Sequence, residues 1–194
     1  MNEDETTKGL SDKVIDRSTL ITFPRPKTLR SRTVSESEKQ KMEFVLPRKT
    51  WNIWLGKKRG NSEEFDKTIA KYRGAVENIN EYMSNMGRNL GHRVWQGIEE
   101  YIRNYPTVIH AKDDAELKSA MKTAFADAVA FKVMPKLRGV EVSGRNGTHL
   151  DKIRDILSEN TPELVGDFKK AREMTTELFQ WSSAEFMNDE QGKQ

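Results

Sequence analysis

Phosphate chemistry is the first question that the residue types of this chain raise. Hydrolysis of a nucleoside triphosphate needs backbone amides and a Lys to hold phosphates, a Ser or Thr and an Asp for magnesium, and a group that positions water. No G-x-x-x-x-G-K-[ST] string occurs. Gly56-Lys57-Lys58 and Gly192-Lys193-Gln194 come nearest, but they lack the upstream glycine and the hydroxyl, and no hydrophobic strand ending in an acidic pair precedes Asn2. By itself the chain is expected not to hydrolyse nucleotide. His92, His110 and His149 are far apart and show no H-E-x-x-H or other ligand spacing, so a metal site is not expected either. The chain has no cysteine, which excludes a disulfide framework, a thiolate metal site and a cysteine nucleophile. No Asp or Glu pair stands out as a general acid and base, because the acidic residues fall mainly at helix starts and exposed positions.

Positive charge is concentrated rather than abundant. From Pro24 to Arg59 eleven Lys or Arg face three Glu, a local charge of +8 in a chain whose net charge is +3. Such a stretch reads either as a solvated connector or as a phosphate-binding surface. Trp51 and Trp54 within it sit three residues apart in Thr50-Trp51-Asn52-Ile53-Trp54. They read as core or docking aromatics on a short helix, with a base-stacking platform as the alternative.

The elements that must position these residues are almost wholly helical after residue 60. Phe65, Ile69, Tyr72, Val76, Ile79, Met83 and Met86 recur at spacings of three and four, a long apolar stripe that Asn61 and Glu64 start as a capping box. A second helix is expected over Arg93–Arg103, with Val94, Ile98, Tyr101 and Ile102 on one face and Tyr105-Pro106 at its end. A third starts at Asp113, with Glu116 as box partner, and carries Leu117, Met121, Phe125, Ala128 and Lys132 until Pro135. Gly139 to Gly147 reads as a glycine-punctuated loop, followed by a short helix from Thr148 with Leu150, Ile153 and Leu157. Thr161-Pro162 supplies a cap and a first-turn proline for a last helix, striped by Leu164 or Val165, Phe168, Ala171, Thr175 and Leu178.

Leu20 to Phe23 is the one convincing strand, and nothing in the chain is there to pair with it, so a sheet from another polypeptide would have to satisfy its backbone. Residues Arg30 to Glu43 read as a mobile linker. At 194 residues, 35% hydrophobic and 32% charged, the chain can bury a lean core in one or two domains. No apolar run approaches the roughly 20 residues that cross a bilayer. The start is acidic and polar where a signal peptide is basic and then apolar, so a cytoplasmic location is expected.

Several short strings in order resemble the second half of the nucleotide-binding core and the lid of McrB-like AAA+ NTPases. They are Met1-Asn2-Glu3-Asp4-Glu5-Thr6-Thr7, then Ser11-Asp12-Lys13-Val14-Ile15-Asp16-Arg17 before the apolar run, then Gly91-His92-Arg93-Val94, and Val133-Met134-Pro135-Lys136-Leu137-Arg138-Gly139. The resemblance covers essentially the whole chain, and the chain would begin at sensor 1. It implies that Asn2 is the sensor 1 amide at the terminal phosphate. Arg17 would be an arginine finger acting on the neighbouring subunit, and Arg93 a sensor 2 arginine at the start of a lid helix.

The implied fold is mainly α, a lid-like bundle of about five helices preceded by a short remnant of an α/β core. Its parts would be residues 1–32 (sensor 1, finger and last core strand), a basic linker over 33–50, and a helical lid over 51–194. ATP or GTP with magnesium would serve only the complete motor, and none is expected on the isolated chain. The partners would be the missing amino-terminal half or neighbouring ring subunits, with a nuclease subunit and DNA beyond them and no membrane. A reading of another class also stands: a stand-alone helical module that docks on a motor or on nucleic acid and regulates it without catalysis.

Overall fold

The computed structural model describes residues 12–21, 47–48, 62–174, 177–184 and 186–187. Asn2, the Trp51 and Trp54 pair and most of the basic stretch lie outside the described residues. The protein is mainly α: a four-residue helix α1 (Asp12–Ile15), then α2 (Glu63–Asn85), α3 (His92–Asn104), α4 (Pro106–His110), α5 (Asp114–Ala128), α6 (Gly144–Asn160) and α7 (Val165–Glu173).

The long stripe forms α2, whose Phe65, Tyr72, Val76, Ile79 and Met83 are buried. Its cap is Ser62 rather than Asn61: the Ser62 backbone is extended and its hydroxyl accepts the Phe65 N–H at 3.2 Å. Glu63, Glu64 and Asp66 then place negative charge in the first turn, at the positive end of the helix dipole. At the other end Gly87 takes the left-handed conformation (φ 73°), which lets the Arg88 N–H reach back to the Met83 carbonyl at 2.9 Å and close the helix.

Val94, Ile98 and Ile102 of α3 are buried as their spacing requires. Tyr105 is extended before Pro106, and the proline then opens a further short helix, α4, which periodicity does not indicate. Asp113 caps α5 by accepting the Glu116 N–H at 2.8 Å, and Glu116 returns the favour to the Lys112 N–H at 2.9 Å. From Ala124 onward α5 is buried on all sides, as befits a helix that touches α2, α3 and α4. The Phe125 ring lies flat on Tyr72 of α2, with centroids 4.1 Å apart. The most extensive helix pairing is between α2 and α6.

Where α5 approaches Pro135 its hydrogen bonding changes. Val129–Val133 forms a wide π-type turn in which the Met134 N–H bonds the Val129 carbonyl, and Met134–Leu137 follows as a 3-10 turn. Two carbonyls are thereby freed. That of Ala130 loses the Met134 N–H and accepts the Trp181 indole N–H at 2.8 Å. That of Phe131 faces a proline without N–H and accepts the Leu20 N–H at 3.1 Å.

The glycine loop is shorter than its composition indicates, since α6 starts at Gly144 and not at Thr148. Gly147 is buried where the loop folds back over it: a Cβ there would meet the Val142 carbonyl oxygen at 2.8 Å. Thr161 does not cap the last helix, because its hydroxyl donates back to the Leu157 carbonyl and Pro162 opens a 3-10 turn instead. α7 buries Phe168 and Ala171 and ends at Glu173, so Leu178 is not on its stripe. Leu178 instead faces Glu141 in the one β-bridge among the described residues.

Leu20 and Ile21, the described part of the expected strand, are not in a strand. The Phe131 carbonyl of the bundle, and not a sheet, satisfies the Leu20 N–H. Among the described residues no helix is long and apolar enough to cross a membrane.

Candidate functional site

Lys136 is the centre of the arrangement. It lies in an apolar neighbourhood, among the buried Val133, Met134 and Leu137, and only 9% of it is exposed. A buried ammonium must be paired to be tolerated. Lys136 has two oxygen partners: it forms an ion pair with the Asp16 carboxylate and donates to the Asn89 carbonyl at 3.0 Å. Asp16 comes from 120 residues upstream, and Asn89 from the turn between α2 and α3.

That turn is fixed from both sides. Asn80 of α2 accepts the Leu90 N–H at 2.7 Å and donates to the Leu90 carbonyl at 3.4 Å. Arg88 donates to the Arg138 carbonyl at 3.2 Å, which ties the turn to the end of the Val133–Gly139 string. The upstream segment is seated as firmly. The Ser18 hydroxyl and the Arg17 N–H both bond the Val14 carbonyl, at 2.9 and 3.1 Å, closing α1. Asp16 on Lys136 and Leu20 on Phe131 then anchor it on either side of Arg17.

Arg17 itself is exposed, and its side chain pairs with no described residue. Arg93 is likewise exposed in the first turn of α3, after the extended Gly91, and that turn holds no acidic residue. A cation at the positive end of a helix dipole opposes helix stability rather than adding to it, so helix stability does not explain Arg93 at this position. The structure therefore brings together two of the four strings singled out in the sequence, Ser11–Arg17 and Val133–Gly139, at one lysine, and joins to them the turn residue Asn89, two residues ahead of the Gly91–Val94 string. Arg17 follows one ligand of that lysine directly, and Arg93 lies four residues beyond the other. Asn2 is outside the described residues.

Asp16, Asn89 and Lys136 were not singled out as functional residues from sequence. A lysine inside the run Val133-Met134-Pro135-Lys136-Leu137 is the one available signal, since a charge embedded among core residues needs a partner. Among the described residues no group of three or more His, Asp or Glu side chains is placed to hold a metal ion.

Another buried polar group, Asp127, lies in the last turn of α5. Asp127 accepts the Tyr101 hydroxyl at 3.0 Å through Oδ2, and Oδ1 has no partner. Burial pushes its carboxyl above the usual value of 3.8, against the opposing hydrogen bonds from Tyr105 and Tyr101. The folded protein then holds this proton to higher pH than the unfolded chain, so from the ordinary carboxylate value upward the folded state binds more protons and stability falls as pH rises. Asp127→Asn keeps an oxygen for Tyr101 and removes the charge. Its melting temperature relative to wild type should therefore rise between about pH 3.5 and pH 7. A difference that is flat with pH in thermal melts would show that Asp127 carries no such penalty.

No curated protein and no solved structure matches the chain. A family model described as a domain of unknown function matches residues 51–185, from ahead of α2 to beyond the Trp181 contact. The match takes in the bundle, Lys136 and Arg93 and leaves Asp16 and Arg17 outside it, and on its extent the chain belongs to the DUF8727 family.

Proposed function

We propose that this chain is the sensor 1 through lid portion of a McrB-like AAA+ NTPase, which lends an arginine to a nucleotide site completed by another polypeptide. The observation that carries this reading is the meeting of Asp16 and Asn89 on the buried Lys136. Two strings far apart in sequence, Ser11–Arg17 and Val133–Gly139, each of which resembles a part of such a motor, are in contact through one ammonium, which also holds the turn ahead of Gly91–Val94. In this reading Lys136 does no chemistry. It fixes the base from which Arg17 projects, and its bond to Asn89 links that base to the turn that carries Arg93.

An exposed guanidinium held on a rigid base is what transition-state stabilisation across a subunit boundary requires. Phosphoryl transfer needs little covalent help from the protein, and charge placed at the developing negative oxygens lowers the barrier most. Asn2 would hold the terminal phosphate and Arg93 would report nucleotide to the lid. The phosphate loop and the magnesium ligands would come from the partner, with ATP or GTP as the nucleotide, a nuclease subunit acting on DNA downstream, and the cytoplasm as the setting.

The test begins with nucleotide. A ligand stabilises a fold only if it binds the native state, so the chain alone should show no rise in melting temperature with millimolar GTP or ATP and magnesium. Mixing it with a polypeptide that carries a phosphate loop and an acidic magnesium-binding strand should produce hydrolysis. Saturable binding by the chain alone, or no hydrolysis in a mixture that assembles, would overturn the proposal.

A further inference from the structure

A groove of about 390 Å³ runs between the amino-terminal halves of α2 and α5, away from the residues used above. Lys67 and Lys71 line it from α2, and Lys118 and Lys122 from α5, with Tyr72 at its base and Glu64 at its edge. Each pair is spaced i, i+4. At 1.5 Å of rise per residue the backbone positions of a pair stand about 6 Å apart along the helix, and both rows line the groove.

Not all of this charge is neutralised. Lys67 pairs with Glu63 at 2.8 Å, in an exposed contact that is worth little. Lys118 pairs with Glu64 at 3.2 Å, and Glu64 also accepts the Thr68 hydroxyl. Lys71 and Lys122 are exposed and have no partner among the described residues. The groove therefore carries two uncompensated cations. In sequence, α2 begins four residues after the basic stretch ends at Arg59.

We propose that this groove binds the phosphate backbone of nucleic acid without reading its sequence. The residue types favour that partner over others. All four cations are lysines, point charges on flexible stems that follow a repeating array of single charges, and none is an arginine able to fork onto a carboxylate or a base edge. The Tyr72 ring is 6% exposed and spent on stacking with Phe125, so it offers bases no platform. Burial and the nearby Glu163 push its phenol up to about 12. The proposal does not depend on the motor reading, since it uses none of Asp16, Arg17, Arg93 or Lys136.

The experiment is fluorescence anisotropy of a labelled DNA duplex of arbitrary sequence with the full chain, titrated between about 50 and 200 mM salt. Lys71→Glu with Lys122→Glu should weaken binding by at least about tenfold at the low-salt end. It should also make the slope of log affinity against log salt shallower by about 2, since each lost phosphate contact removes about 0.9. Both side chains are exposed and have no partner among the described residues, so the variant should keep its helical circular dichroism and melting temperature. The milder Lys71→Ala with Lys122→Ala should move affinity the same way by less. A charge-matched control, Lys152→Glu with Lys169→Glu on α6 and α7, should leave affinity and slope near wild type.

No duplex binding by the wild-type chain, an unchanged slope in the groove variant, or an equal loss in the control would overturn the proposal. Tight binding of polyglutamate without binding of the duplex would also overturn it, and would assign the groove to an acidic polypeptide.

Discussion

Arg17→Ala should lower turnover by at least about a hundredfold in a motor assembled from this chain and a polypeptide that carries the phosphate loop. That floor corresponds to about 2.7 kcal/mol of lost transition-state stabilisation, below the roughly 10³–10⁵-fold that an arginine finger supplies. Assembly should be kept, because the side chain touches no described residue, and the base beneath it is held by Asp16 and Leu20 through contacts that do not involve the guanidinium. The loss should fall on kcat, since the finger acts on charge that develops only in the transition state. Subunits with Arg17→Ala should be partly rescued by subunits defective in the phosphate loop, as each supplies what the other lacks at a shared boundary. Arg93→Ala should cost less rate and loosen the response of the lid to nucleotide. Unchanged hydrolysis in the Arg17→Ala motor would make this arginine a surface charge and leave the resemblance to rest on the lid strings.

Phe125→Ala should destabilise the bundle by about 3–5 kcal/mol, lowering the melting temperature by roughly 6–20 °C. Phe125 is 1% exposed in the last turn of α5, where the helix is buried on all sides, and its flat contact with Tyr72 joins α5 to α2. Removing it forfeits the apolar burial, the stacking and the packing around the cavity left behind. Calorimetry or denaturant titration measures the loss directly. A cost below about 1 kcal/mol would mean that the site collapses on itself and that the two helices are joined elsewhere.

Helices are legible in this chain wherever one face must be buried. Phe65 to Met83 and Val94 to Ile102 announce themselves because the spacing of their apolar residues is the helix, and Asp113 with Glu116 is a cap whose partners are three residues apart. Features that depend on the rest of the molecule are not written this way. Gly144 and Gly147 have loop composition yet lie in α6: Gly144 takes the left-handed conformation at its start, and close approach of the Val142 carbonyl leaves no room for a side chain at Gly147. Thr161 and Pro162 look like a cap and first turn, but the hydroxyl finds the carbonyl behind it.

The candidate site is harder still to read from sequence. Arg17 and Arg93 can be singled out by resemblance, whereas the Lys136 contact joins residues with no sequence relation, and no periodicity encodes such a pair. The lysine groove escapes for a similar reason. Lys67 and Lys71, or Lys118 and Lys122, each read as the wetted side of a helix until the two helices are set side by side.

The two carbonyls freed at the end of α5 are held on unequal terms. Residue 135 is a proline, so regular α-helical winding offers the Phe131 oxygen no N–H, and the Leu20 N–H would keep its place in it. The Ala130 oxygen has a rival, the Met134 N–H, which now bonds one carbonyl further back. Were the turn to tighten by one residue into regular helix, Met134 would reclaim Ala130 and evict the Trp181 indole, while Leu20 stayed where it is. Segments upstream and downstream of the helix thus bond neighbouring carbonyls of one turn, Leu20 at an oxygen that has no α-helical rival and Trp181 at one that regular helix would take back.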